Sequence, residues 1–265
     1  SGRTLFRRNT VRFTTDQTLC ETHTNFTHQL DLTGTPKCEF ITQLLWNDED
    51  NYKTWIVAHP RIGETLAETI CAANLVNFEQ GPVVSYEREV RKICDTNMRS
   101  DFVLTHENRR RTVMEVKTVV DTDFESRKEG GPKIQFVSKA SGPYRRSAIF
   151  PWGRSSQKGP DGEKVVSARA IKHVDELARI QTGELKSCEE GKKGESLNSS
   201  IMFVCGRSDV KQFRPNADAC PSFASHLKTA HEKGVQVFAH RIRWGVGSDD
   251  EGKAWWDGEI PVVME

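Results

Sequence analysis

Asp101, Glu115 and Lys117 are the residues whose types and spacing could do chemistry. Asp101 opens one apolar run, Asp101–Thr105, and Glu115 and Lys117 sit inside a second, Thr112–Val120. The polar stretch between them, His106–Arg111, reads as a hairpin turn centred near Asn108. Residues whose numbers sum to about 216 then face each other across the two strands, which sets Asp101 opposite Glu115 on one face. Lys117 lies two residues further on and shares that face, while Val116 points to the core. Two carboxylates and an ammonium therefore converge from adjacent strands. Two carboxylates, helped by a backbone carbonyl such as that of Val116, can hold Mg²⁺ or Mn²⁺ with water positions left open. Such a cation polarises a phosphate and lowers the pKa of a bound water. A lysine beside it can orient that water or offset charge in the transition state. Such a grouping suits phosphodiester hydrolysis. On spacing alone, a cross-strand ion pair on a solvated sheet face is the commoner arrangement. The apolar flanks of both strands argue for function, because charges converging on an otherwise buried sheet need a reason.

Several elements must position this group. Residues 3–58 read as short strands broken by turns at Gly34–Pro36 and Asn47–Asn51, with Tyr52–Val57 as a buried strand, and a small β barrel is expected there. After His59-Pro60 the pattern turns helical, with Ile62, Leu66, Thr69, Ile70 and Ala73 on one face and Glu64 and Glu68 on the other. Those two carboxylates are expected on a solvated face. A strand over Val83–Val90 precedes the hairpin. A second helix over Val165–Ile180 carries the stripe Ile171, Val174, Leu177 and Ala178, with Arg169, Lys172, His173 and Glu176 on its polar face. The strand Ile201–Cys205, the helix Ser222–Lys233 capped by Gly234, and the strand Val235–Ile242 complete the chain. Alternating helices and strands after residue 59 predict an α/β (α+β) domain over 59–265.

The formal net charge is +1, but it is unevenly spread. Between Ser126 and Lys158 eight basic residues, Arg145 and Arg146 among them, meet only Glu129, so this strip carries +7 and the remainder −6. A basic strip on an otherwise acidic chain suggests a polyanion partner. Phe136, Tyr144, Phe150 and Trp152 are interspersed in the strip. Cations mixed with aromatic rings suit a single-stranded backbone with stacked bases, and a merely solvated insertion fits equally well. Arg109, on the hairpin turn, could also reach phosphates. Seven scattered cysteines without a CxxC pair predict reduced thiols in an intracellular compartment, cytoplasmic or organellar. No apolar run approaches the roughly 18 residues of a membrane span, so no membrane partner is expected.

Several blocks carry a resemblance: Arg99–Phe102, Met114–Lys117, Ala148–Pro151, Lys172 and His173, Gly206–Pro215, Gly234–Val237 and Arg241–Arg243. From about residue 56 onward the chain resembles the sugar fermentation stimulation protein family. Members of that family are similar to PD-(D/E)xK nucleases and carry a small OB-like barrel in front. The resemblance implies a mixed sheet flanked by helices, with insertions near 121–164 and 185–198. It also implies metal-site roles for Asp101 and Glu115, a catalytic Lys117, and nucleic-acid contacts from Lys172 and His173. The expectation is a divalent-metal nuclease acting on DNA ahead of RNA. The rival is a non-catalytic regulatory protein that binds nucleic acid.

Overall fold

The structure, a computed structural model, describes residues 11–15, 18–22, 44–47, 54–57, 60–127, 129, 134–139, 141–245 and 253–264. Its elements are β1 (Val11–Thr15), β2 (Thr18–Thr22), β3 (Leu44–Asn47), β4 (Thr54–Val57), α1 (Pro60–Ala72), β5 (Val83–Arg91), β6 (Arg99–His106) and β7 (Arg111–Val119). There follow β8 (Ser147–Phe150), β9 (Gln157–Lys158), β10 (Lys164–Val165), α2 (Ala168–Gln181), β11 (Asn198–Cys205), β12 (Gln212–Pro215), α3 (Pro221–Glu232), β13 (Gln236–Trp244) and β14 (Lys253–Glu259).

One mixed sheet runs β2-β1-β14-β13-β11-β7-β6-β5. The β5, β6 and β7 strands form an antiparallel meander, and β7, β11 and β13 are parallel, with helices in the crossovers between them. Alternation along each strand splits the buried side chains into two cores. Phe102, Leu104, Met114, Val116, Met202 and Val204 pack under α1 through Ile62, Leu66 and Ile70. Val103, Val113, Ile201 and Phe203 pack under α2 and α3 through Ile171, Val174, Leu177, Phe223 and Leu227. Burying one such side chain contributes about 1.5–3 kcal/mol, so both helices are fixed in rotation by their stripes. Gly63 lets α1 lie flat on β7, since a Cβ there would meet Thr118 Oγ1 at 1.9 Å. Ser167 caps α2, its side chain accepting the Ala170 N–H at 3.3 Å.

The hairpin register agrees with the sequence reading. Phe102 pairs with Met114, Val103 with Val113 and Leu104 with Thr112. Asp101 and Glu115 therefore fall on the same face as Val103 and Val113, toward α2.

One expectation changes. The strip 126–158 is not one solvated lobe, because β8 is a buried strand paired in parallel with β12. Of its rings, Phe150 packs against Phe203 and Phe223 in the core, and the Tyr144 hydroxyl bonds Asp123. Trp152 is the large exposed ring of that group. Periodicity also passed over β12 and β14, which are too short or too polar to stand out. The barrel expected over 3–58 lies largely outside the described residues. The backbone of β1 and β2 is described at the edge of the large sheet, β1 running parallel to β14, while β3 and β4 pair with each other.

Candidate functional site

Asp101 lies near the start of β6, just beyond the last described β6–β7 pair, Phe102–Met114. Its Oδ2 accepts the backbone N–H of Val116 at 2.7 Å, a bond that ties the carboxylate to the neighbouring strand. Burial first, then the charge of Glu115, pushes its carboxyl up to about 7, against the pull of the Val116 N–H and Lys117. Glu115 is 2% exposed. Its Oε1 meets both Lys117 Nζ and His173 Nδ1, the latter at 2.5 Å. Its Oε2 is buried and has no hydrogen-bond partner. Burial would raise the Glu115 carboxyl, but the His173 bond and the Lys117 charge outweigh that and hold it below the usual range. Lys117 lies on the Glu115 face of β7 and is partly exposed.

Helix α2 closes this face. His173 is 5% exposed and points at Glu115, and Arg169 Nε donates to His173 Nε2 at 3.4 Å. Glu176 is buried three residues on, with Oε1 3.9 Å from Lys172 Nζ. Burial raises its carboxyl, with Glu115 adding to the shift and Lys172 opposing it. Lys172 itself is exposed. Glu64 and Glu68 lie near Arg88 on the α1 side, Glu68 at 2.5 Å and Glu64 at 3.7 Å. Glu64 is close enough for its charge to add to the upward shift of Asp101.

The predicted site residues thus divide. Asp101, Glu115, Lys117 and His173 come together, and Lys172 borders them. Arg109 is exposed at the hairpin turn in the left-handed region, φ 65°, as the tight turn requires. Arg145 is exposed. Arg146 is 6% exposed, and its Nη1 bonds Asp209 Oδ2 at 3.1 Å, so its guanidinium is turned into the protein rather than toward a phosphate backbone. Arg111 also turns inward, to Glu189 and Glu195. Arg127 and Lys139, further along the strip, line an open cavity of about 480 Å³ with Phe136 and Asp218.

A second charged cluster was not foreseen. Arg207 forms a fork on Asp209, 2.6 Å from Nε to Oδ1 and 2.6 Å from Nη2 to Oδ2, and its Nη1 donates to the Val120 carbonyl at 3.0 Å. Asp123, fully buried, accepts the Ser147 N–H through Oδ1 and Arg214 Nε through Oδ2. These residues follow β11 or flank β8, where no periodic pattern marks them. Their signal was the block Gly206–Pro215, legible only as part of a resemblance.

Comparisons with known proteins bear on this arrangement. Residues 160–247 match the family described as "Sugar fermentation stimulation protein RE domain". Over this stretch the chain is similar to the sugar fermentation stimulation protein family. A homologue from Methanothermobacter thermautotrophicus is 25% identical over 211 residues, 79% of this chain and 65% of that protein. One from Carboxydothermus hydrogenoformans is 26% identical over 137 residues, 52% of this chain and 45% of that protein. One from Desulforamulus reducens is 33% identical over 73 residues, 28% of this chain and 26% of that protein. The chain therefore spans less than two thirds of the length of these relatives. The structure of Pyrococcus furiosus SfsA in complex with Ca²⁺ matches with a TM-score of 0.55 at 16% identity, covering 97% of this chain and 95% of that one. That likeness shows a shared mixed α/β fold. The matched family stretch holds Lys172, His173, Arg207 and Asp209 but begins after Lys117. No helix among the described residues is long and apolar enough to cross a membrane.

Proposed function

We propose that this protein is a divalent-metal-dependent nuclease of PD-(D/E)xK type, acting on DNA ahead of RNA. One observation carries the reading: Glu115 keeps a buried carboxylate oxygen without a partner, on the same sheet face as Asp101. An orphaned carboxylate oxygen in a buried site costs free energy unless something takes it up. A cation held by the two carboxylates does so. It also offsets the mutual repulsion that lifts Asp101.

The donor set fits a hard cation. Among the described residues no three of His, Cys, Asp and Glu are grouped as a ready-made metal site. Zinc and other borderline metals prefer a closed set of nitrogen and sulfur ligands. Mg²⁺ and Mn²⁺ are held by one or two carboxylates and keep water and substrate oxygens for the rest. The Ca²⁺ in the structural relative is a hard, oxygen-seeking ion of the same kind. Asp101 and Glu115, with the Val116 carbonyl, would hold the cation here. When bound, it supplies Lewis acidity to the scissile phosphate and acidifies a water.

The chain's own groups do the rest. Lys117 Nζ gives one of its three donors to Glu115 and keeps the others to orient a water or to face a phosphate oxygen. The Val116 N–H fixes the Asp101 carboxylate. Arg109, Arg145, Arg169 and Lys172 are exposed and can neutralise backbone phosphates. The test is incubation of labelled single- and double-stranded DNA and RNA with Mg²⁺, Mn²⁺ or EDTA. Cleavage that needs the metal and is lost in Glu115→Gln supports the reading. Binding without cleavage under every condition would move the protein to the regulatory, non-catalytic reading.

A further inference from the structure

We propose that His173 is a positioning residue for Glu115, tying up one carboxylate oxygen so that the other stays available to a divalent cation. The inference rests on the metal reading above and assigns His173 a different task from a phosphate contact.

Arg169 Nε is always a donor, so His173 Nε2, 3.4 Å away, serves as an acceptor. The ring proton then sits on Nδ1, and Nδ1–H donates to Glu115 Oε1. Lys117 Nζ donates to the same oxygen. Two donors thus converge on Oε1, and Oε2 is left buried with none. A carboxylate held this way cannot rotate to share its donors between both oxygens, so Oε2 is set in place before any ligand arrives. The ring is itself held firmly. Neighbouring Ile171, Val174 and Leu177 are at most 1% exposed, so packing sets the rotation of α2. With 5% exposure, His173 is badly placed to reach a nucleic-acid backbone, whereas Arg169 and Lys172 on the same helix are exposed.

Outer groups that orient a metal-binding side chain are typically worth about 10–100-fold in metal affinity. The experiment is calorimetric titration of Mn²⁺ into the full chain as wild type, His173→Ala, His173→Asn and His173→Gln. Oligonucleotide binding in EDTA across a salt series accompanies it. An asparagine amide nitrogen falls near the position of Nδ1, and a glutamine amide nitrogen near that of Nε2. The expected result is Mn²⁺ affinity about 10–100-fold weaker for His173→Ala. His173→Asn should recover most of that loss and His173→Gln should not, with oligonucleotide affinity and salt slope unchanged throughout. If the alanine variant fails to fold, the contrast between asparagine and glutamine carries the same test. Wild-type Mn²⁺ affinity in His173→Ala, or equal losses in asparagine and glutamine, overturns the proposal while the metal reading stands. A reduced salt slope in His173→Ala returns the residue to a phosphate contact and overturns it as well. Wild type that takes up no Mn²⁺ sinks the metal reading first and this proposal with it.

Discussion

Two of the buried charged clusters among the described residues are built on opposite rules. Around Asp209 the arrangement is closed. Both of its oxygens are bonded, the Arg207 fork takes one on each side, and Arg146 adds a third guanidinium bond. Burial would raise the Asp209 carboxyl, but the Arg207 bonds and the two guanidinium charges win and lower it. Around Glu115 the arrangement is open. Two donors crowd one oxygen, the other has none, and Asp101 nearby is raised to about 7. A closed cluster holds loops together. An open one leaves unmet demand for positive charge, which is what a site for a cation and a phosphate requires.

The comparison breaks most sharply at Arg207. Arg207→Met leaves Asp209 with Arg146 alone and should cost about 3–5 kcal/mol of stability, read from urea unfolding. An unfolding midpoint equal to wild type would mean the closed cluster holds nothing together.

Lys117→Ala should do the reverse. Turnover should fall about a hundred- to thousandfold if Lys117 donates to the reacting phosphate as proposed. The unfolding midpoint should move less than in Arg207→Met, because His173 still holds Glu115. Near wild-type cleavage would reduce Lys117 to a structural ion-pair residue.

The pH dependence should separate the two clusters by sign. Asp101 in the folded, metal-free protein keeps a proton up to about pH 7, whereas the unfolded chain loses it near 4. Its contribution therefore becomes increasingly unfavourable as pH rises from about 4 to 7 and stays so above. In EDTA, Asp101→Asn should gain on wild type between pH 5 and 8, by about 1–2 kcal/mol after allowing for partial exposure. Asp209 has the opposite shift. Its stabilising effect is present above the unfolded value near 4 and is lost as pH falls through its depressed folded value. Asp209→Asn should lose most against wild type at neutral pH, with the gap closing in acid. Melting curves of the three proteins across pH check both signs, and parallel curves would erase the distinction.

The smallest effect concerns the basic strip. Arg145 is exposed and Arg146 is not. Arg145→Ala should lower the log–log salt slope of oligonucleotide binding by roughly one unit. The double variant with Arg146→Ala should lower it no further while losing stability. A slope lowered by two units in the double variant would put Arg146 back on the phosphate side of the comparison.

The sequence by itself determined the hairpin and what it presents. The turn at Asn108 and the two-residue period of strands place Asp101, Glu115 and Lys117 on one face, and the observed Phe102–Met114 pairing has that register. The helical stripes of α1 and α2 were equally plain, since 3.6-residue spacing of Ile and Leu is a local property. Only the tertiary structure decided which charges are spent inside. Arg145 and Arg146 are adjacent and chemically identical, yet one faces solvent and the other faces Asp209, 63 residues away. Likewise Glu115 meets His173 across 58 residues of chain. Such pairings depend on how β8, β11 and α2 pack together, and no local period in the chain encodes them.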